Sequence, residues 1–289
     1  MPPGPRMKTF HVLPAPALRP FVDRIWGWES TGGAPVPLPT LLPGTGAELY
    51  LHYGAPFRYL APDGQPMACP QGHLFCLRRH AVRLLPTPHI GFIAVRFKVG
   101  MVHRFTRLPG LALPDRALPA EEAFGPAARD VLRHLARAAA PRDTLPRLQS
   151  FLLRHWKHEA PDLLAEGAAA QIYRHFSSLS IDALAHAMPL GRRQFERRFL
   201  SLTGSTPMEF KGLSRFQHTV RTLMLEGSAH PRDAALSHGY YDQAHFIHDF
   251  RKRAGAPPDL FLQEARTKTH FYNTRRDLPG MLGPPETTS

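Results

Sequence analysis

At 289 residues, 43% of them hydrophobic and with no apolar run near twenty, the chain is expected to be a soluble two-domain protein without a membrane partner. Two cysteines, Cys69 and Cys76, fit no common zinc spacing and are too few for a secreted disulfide scaffold, and the N-terminus lacks the apolar core of a signal peptide; buried or idle thiols in a cytoplasmic protein are expected. A net charge of +13 invites a polyanionic partner, but the surplus is spread along the chain and informs only where it clusters.

Residues 1–47 are rich in Pro and Gly, and Pro35, Pro37, Pro39 and Pro43 lie too close together for a helix or a central strand. Within them, 18–28 reads as a short helix. From Glu48 the period becomes two: Leu49, Leu51 and Tyr53 alternate with Glu48, Tyr50 and His52. A stronger strand is expected over 91–99, with Ile93, Val95, Phe97 and Val99 on one face and Phe92, Ala94, Arg96 and Lys98 on the other. Further strands are expected at 72–77 and 81–85. This half reads as a β-rich barrel or sandwich.

After Pro119 the pattern turns helical, with apolar residues at helical spacing over 121–139 and 144–158 and Pro141 between them. Residues 1–160 are therefore expected to form a β-rich domain, regulatory or dimerising, with two trailing helices at about 121–158. The boundary is placed at 159–167. Beyond it, 168–266 reads as all helix, which makes the chain α+β. Ser180 is expected to cap a helix over 181–188, and Thr206-Pro207-Met208-Glu209 reads as a capping box opening a long helix to about residue 226. At 1.5 Å per residue that helix spans roughly 30 Å and can hold two units apart. A short helix is expected from Pro231 to near His238, and the Pro- and Gly-rich tail 267–289 is expected to be disordered.

The helical part contains a duplication. Phe195, Phe199, Gly204, Pro207 and Phe210 recur 51 residues later as Phe246, Phe250, Gly255, Pro258 and Phe261, with identical internal spacing. Phenylalanines at i and i+4 share one helix face, and the Gly and Pro that follow end the helix. Each copy therefore buries an aromatic stripe and leaves its other face in solvent. That face carries Arg192, Arg193, Glu196 and Arg197 in the first copy, and Gln243, Ala244, His248, Arg251, Lys252 and Arg253 in the second. Guanidinium forks, amides and a carboxylate are groups that read base edges in a DNA major groove, and flanking cations suit phosphates.

Two such helical units joined by a long helix resemble the DNA-binding domain of the AraC/XylS family of bacterial transcription regulators. The resemblance is carried by SIDALAHAMPLGRRQFERRFLSLTGSTPMEF and DAALSHGYYDQAHFIHDFRKRAGAPPDLF, the second being the more diagnostic. The N-terminal stretches LLPGTGAELYLHYGAPF and HIGFIAVRFKVGMVHRFTRLPGLALPDRALPAEE resemble, less specifically, the N-terminal domain of a subgroup whose ligand is unassigned.

The resemblance implies a double helix-turn-helix with base-reading residues at Arg193, Glu196 and Arg197, and at Gln243, Ala244 and His248. His248 stands where arginine is usual and Ala244 has no hydrogen-bonding group, so the second helix is expected to read fewer bases. Arg192, Arg198, Arg251, Lys252 and Arg253 are the expected phosphate contacts, although Arg198 lies on another side of its helix and suits an ion pair equally. Glu196 either accepts from a cytosine amine or pairs with Arg192 or Arg193. Asp242 is expected to cap the second recognition helix.

Implied partners are double-stranded promoter DNA, RNA polymerase, a small-molecule effector and a second copy of the chain. His52, His73, His80 and Arg96, on or near strands, are the candidate ligand residues. His155/His158 and His245/His248 are spaced three apart without an acidic or cysteine neighbour, so no metal is expected, and no cofactor either. Phosphate-loop, dinucleotide and nucleophile-elbow motifs are absent, which argues against an enzyme. Two competing readings are a metal-dependent barrel enzyme fused to a DNA-binding module, and an architectural protein binding DNA without sequence choice.

Overall fold

A computed structural model describes residues 6–31, 35–61, 64–156, 161–225 and 230–267. An antiparallel β-sheet region is followed by an all-helical part, an α+β architecture. The strands are β1 (Arg6–Val12), β2 (Val22–Thr31), β3 (Thr40–Leu41), β4 (Ala47–His52), β5 (Arg58–Leu60), β6 (Pro66–Ala68), β7 (Gly72–Phe75), β8 (Val82–Arg83), β9 (Gly91–Phe97) and β10 (Leu118–Pro119). Six of them form one sheet in the order β1-β2-β9-β4-β7-β10, and β3-β8 and β5-β6 form two small ribbons.

Alternation gives the sheet two apolar faces. Ile25, Leu49, Leu51, Leu74, Ile93, Val95 and Phe97 point to one face, which packs on α1 (Ala120–Phe124), α2 (Ala127–Arg137) and α3 (Leu145–His155) through Ala123, Val131, Leu148 and Phe151. The opposite face carries Trp26, Trp28, Tyr50, Phe75, Phe92 and Ala94, roofed by Val36, Leu38, Leu41, Phe57 and Leu84 from the segments around the ribbons. A strand buried on both faces loses polar alternation. For this reason the expected helix over 18–28 is corrected: only Pro16–Leu18 makes a 3-10 turn, and Val22 onward is β2, with Ile25 and Trp26 buried on opposite faces. The single helix expected over 121–139 is also divided, at Gly125, whose φ of 76° and following Pro126 interrupt it.

The helical part comprises α4 (Leu163–Arg174), α5 (Ile181–Ala187), α6 (Arg192–Thr203), α7 (Pro207–Leu225), α8 (Pro231–Ser237), α9 (Gln243–Ala254) and α10 (Pro258–Thr267). Its two units have separate cores. Phe195, Phe199, Phe210 and Leu213 pack with Ile172, Ile181 and Leu184 in the first; Phe246, Phe250 and Phe261 pack with Phe216, Val220 and Tyr240 in the second. The α7 helix contributes to both. Among the described residues no helix is long and apolar enough to cross a membrane. The expected tail lies, from residue 268, outside the described residues, as do His158 and the first residues of the expected boundary.

Candidate nucleic-acid interface

Each unit seats its second helix on two phenylalanines and ends it at a left-handed glycine. The α5 helix is capped by Ser180, whose Oγ accepts from Ala183 N at 3.3 Å; α6 follows after a short turn and ends at Gly204, φ 76°, in the left-handed conformation. In the second unit, Asp242 Oδ1 accepts from His245 N at 2.7 Å and caps α9, which ends at Gly255, φ 74°. Phe195 and Phe199 anchor α6 from beneath, and Phe246 and Phe250 do the same for α9; all four are at most 1% exposed. The phenylalanine core and the C-terminal glycine caps are thus duplicated, but the N-terminal side-chain caps are not, because Ser180 caps α5 whereas Asp242 caps α9 and α6 begins at Gly191 without one.

The faces turned to solvent differ. On α6, Arg193 and Arg197 are exposed one turn apart, and Gln194 beside them is exposed too. Glu196 is partly exposed and accepts from Arg192 Nε at 3.0 Å, while Arg192 Nη1 also donates to Asp182 at 2.5 Å. This holds Glu196 beside a cation at the edge of the face, and it raises the pKa of Arg192 above its usual value, through Glu196 first and Asp182 second. Arg198 points elsewhere: its Nε donates to Asp162 at 2.8 Å, the residue that caps α4 through Ala165 N at 3.1 Å. On α9, Gln243, Ala244, His248, Arg251 and Lys252 are exposed. Arg253 is not; it donates to Asp249 at 2.7 Å and lies over the Phe216 ring at 5.7 Å. Its neighbour network continues through Tyr240, whose hydroxyl donates to Asp249 at 2.8 Å and whose ring lies 4.2 Å from the Arg215 guanidinium. One residue unforeseen in the sequence stands at the edge of this face: Tyr241, 87% exposed in the turn before α9.

The four candidate ligand residues do not converge. Cross-strand register sets Arg24, Arg96, Glu48 and Phe75 in one row, and Trp26, Ala94, Tyr50 and His73 in the next. His52 and His73 lie in the buried aromatic cluster, their rings stacked at 5.2 Å, with His73 also stacked on Tyr50 at 5.3 Å. Burial lowers both imidazoles, His73 to about 4 and His52 well below its usual value, so both are neutral at pH 7. His73 Nδ1 contacts Pro70 O at 3.0 Å. Arg96 stands at the far end, 3.3 Å from Glu48, which is also hydrogen-bonded by Tyr50 Oη at 2.8 Å. Burial acts to raise the Glu48 pKa, but Arg96, Arg78 and Arg24 together hold it below the ordinary carboxylate value. His80 is outside the cluster, exposed on the segment that crosses to the helical part. Cys69 and Cys76 are buried free thiols, each pushed up to about 12 by burial. Among the described residues no group of three or more His, Cys, Asp or Glu is placed to hold a metal.

Contacts between the sheet region and the helices involve residues far apart in sequence. Arg79 donates to Gly204 O and to Glu209 Oε1, both at 2.8 Å, and to Asp115 Oδ2 at 2.7 Å. Thr45 N donates to Gln217 Oε1 at 3.1 Å, and Ala81 N to Arg253 O at 2.8 Å. His103 and Arg104 hold Glu166 at 2.8 and 3.0 Å. One partial signal was present: Glu209, read as the acid of a capping box, instead accepts from Ser205 Oγ at 2.7 Å and from Arg79, while Thr206 Oγ1 accepts from Glu209 N at 3.2 Å as expected.

Comparison with known proteins bears on the helical part. A family model described as a helix-turn-helix domain matches residues 184–264. The structure is similar to the DNA-binding domain of AdpA, a global transcriptional factor, in complex with a target DNA, at 27% identity and TM-score 0.33, covering 37% of this chain and 96% of that one. It is similar to ToxT from Vibrio cholerae O395 bound to (E)-4-(8-methylnaphthalen-1-yl)but-3-enoic acid, at 9% identity and TM-score 0.46, covering 90% of this chain and 99% of that one. A further similar structure is wild-type ToxT from Vibrio cholerae strain SCE256 bound to an unsaturated fatty acid, at 10% identity and TM-score 0.43, covering 90% and 95% of the two chains. No curated protein sequence matches the chain.

Proposed function

We propose that this DNA-binding transcription regulator, whose C-terminal domain is an AraC-type helix-turn-helix domain, reads a bipartite operator sequence-specifically through α6 and α9 and answers to a small molecule held by its sheet region. The observation that carries the DNA reading is the pair of exposed polar helix faces, each seated on a duplicated phenylalanine core. Two recognition helices of one protomer on one DNA face call for elements about 34 Å, or roughly 10 bp, apart. Arg193 and Arg197 suit guanine O6/N7, each such contact giving about 1–3 kcal/mol of discrimination. Gln243 suits adenine, and Ala244 a thymine methyl. His248 adds one donor or acceptor.

Arg251 and Lys252, exposed beside α9's reading face, are the phosphate contacts this reading keeps. Arg192, Arg198 and Arg253 serve the protein's own carboxylates first. Arg197→Ala is expected to relax base preference at one operator position, and Lys252→Ala to weaken binding evenly across sequences with a shallower salt dependence. Selection from randomised duplexes followed by footprinting tests this: no pair of protected major-groove segments, or the opposite pattern in the two variants, would overturn it.

The effector reading is supported by the buried histidines of the aromatic cluster. His52 has no hydrogen-bond partner on either nitrogen, and His73 none on Nε2, among the described residues. Neutral imidazoles set among Tyr50, Phe57, Phe75 and Phe92 offer both a donor and an acceptor to a small apolar or aromatic molecule. A thermal-shift screen of the full chain, repeated on His52→Phe, tests it; a hit that stabilises both proteins equally would place the ligand elsewhere.

A further inference from the structure

We propose that residues 77–81, anchored by Arg79, form a brace through which the sheet region sets the relative placement of α6 and α9, and with it the operator spacing the protein accepts. The inference rests on the reading that both helices enter DNA.

In sequence, the two units are joined only through α7 and the segment that follows it. A brace across their backs adds a second connection, and the crossing segment makes one. Leu77 is buried in the core of the first unit, with Phe195, Phe199 and Phe210. Ala81 packs against the core of the second and donates its N–H to Arg253 O, in the last turn of α9. Four residue steps separate them, at most about 14 Å of extended chain, so the rear surfaces of the two units are tied at close range. Between these ends, Arg79 fixes the first unit at two places: Gly204 O, at the left-handed cap of α6, and Glu209, in the first turn of α7.

The brace is itself held. Arg78 pairs with Gly44 by both backbone bonds, at 2.9 and 3.0 Å, and Arg79 N donates to Asp115 Oδ1 at 2.6 Å. Adjacent Thr45 grips the middle of α7 through Gln217, and Leu42 inserts among Phe216, Val220 and Phe250. A side chain at Gly44 would come within 2.9 Å of the Gln217 amide, so the approach is close. None of these contacts covers the reading faces: Arg193, Arg197, Gln243, Ala244 and His248 stay exposed with the brace in place. Docking therefore orients the two helices without occluding them, and Arg79 is a positioning residue for recognition.

The test uses the full chain and a bipartite site selected with it from randomised duplexes, with 1–3 bp inserted or removed between the two elements. Two base pairs rotate one element by roughly 70° relative to the other, from about 10–10.5 bp per turn. The wild type is expected to lose at least about tenfold in affinity on that change, within the range of a single mismatched contact. In Arg79→Ala the native spacing binds more weakly, but the spread across spacings narrows to within about threefold, and Gln217→Ala narrows it independently. Arg79→Lys, which keeps the charge but not the fork that reaches Gly204 O and Glu209 together, falls between them. A merely structural role predicts parallel losses at every spacing. Parallel losses in both alanine variants, or a wild type indifferent to spacing, would overturn the brace while leaving sequence-specific recognition intact; a chain that selects no sequence would remove both.

Discussion

Acidification should destabilise the aromatic cluster, and His73 sets the scale. The ring is fully buried between Tyr50 and His52, and burial lowers its pKa from about 6.5 to about 4. In the unfolded chain the imidazole takes up its proton near its ordinary value, so between these limits the unfolded state binds more protons than the folded one. The stability tied to the neutral ring is present above pH 6.5 and is lost as pH falls towards 4. A depression of about 2.5 units at 1.36 kcal/mol each amounts to about 3 kcal/mol. His52 is shifted in the same direction, by burial first and by repulsion from His73 second.

Urea unfolding at pH 7.5 and pH 4.5, followed by tryptophan fluorescence, reads the effect because Trp26 and Trp28 belong to the same cluster. The comparison is with His73→Phe, which removes the titrating group. Glu48, Asp162 and Glu209, held below their usual values, and His218, near 4, contribute to both proteins and cancel. The wild type is expected to lose about 2–3 kcal/mol more than the variant between the two pH values. Equal losses would show that the ring is hydrated or charged in the native state, and the buried-histidine argument would fall.

The duplicated motif supplies further tests. Phe199→Ala, at a site fully buried beneath α6, should destabilise the protein by about 3–5 kcal/mol; a melting curve within a degree of the wild type would contradict the core assignment. Gly204 and Gly255 occupy equivalent caps, but a Cβ on Gly204 would lie 2.4 Å from Gly110 O and 2.7 Å from Pro114, whereas one on Gly255 meets nothing within 4 Å. Gly255→Ala is therefore expected to cost only the left-handed backbone term, about 1–2 kcal/mol, and Gly204→Ala about 1–3 kcal/mol beyond it. Equal denaturation midpoints for the two variants would mean that the sheet region does not press on the first unit.

What could be read in the sequence was local. Helices α5, α6, α7 and α9 announce themselves because Ser180, Thr206 and Asp242 cap, Gly204 and Gly255 terminate, and phenylalanines recur at i, i+4. The strand β9 was legible because its alternation survives. The β2 strand was not, since Ile25, Trp26 and Trp28 are all buried at its centre and its polar residues Asp23, Arg24, Glu29 and Ser30 stand only towards its ends. The break at Gly125-Pro126 was passed over because the apolar period continues across it. Exposure of Arg193 and Arg197 followed from helix geometry, but the commitment of Arg198 to Asp162 did not, because a partner 36 residues away leaves no periodic trace. Still less legible were Arg79, Gln217 and Leu42, whose contacts with Gly204, Thr45 and Phe216 each join residues more than a hundred positions apart.

These long-range contacts change what the duplication means. Two units with the same glycine caps and the same aromatic stripe would be built alike if each stood alone in solvent. They do not stand alone. The first is pressed at Gly204 by the segment around Gly110 and clasped by Arg79, and its α6 is tied through Arg198 to Asp162 at the start of α4. The second meets the sheet region through Leu42, Ala81 and the carbonyl of Arg253, and its glycine cap is open. The unit whose exposed face carries Arg193 and Arg197, the proposed guanine contacts, is thus also the one more firmly held. A rigidly placed helix loses less freedom on binding and can hold bidentate geometry, whereas a looser one suits phosphate and methyl contacts that tolerate displacement. The inequality between the reading faces and the inequality between their supports run in the same direction, as expected if one unit fixes the register on DNA and the other follows it.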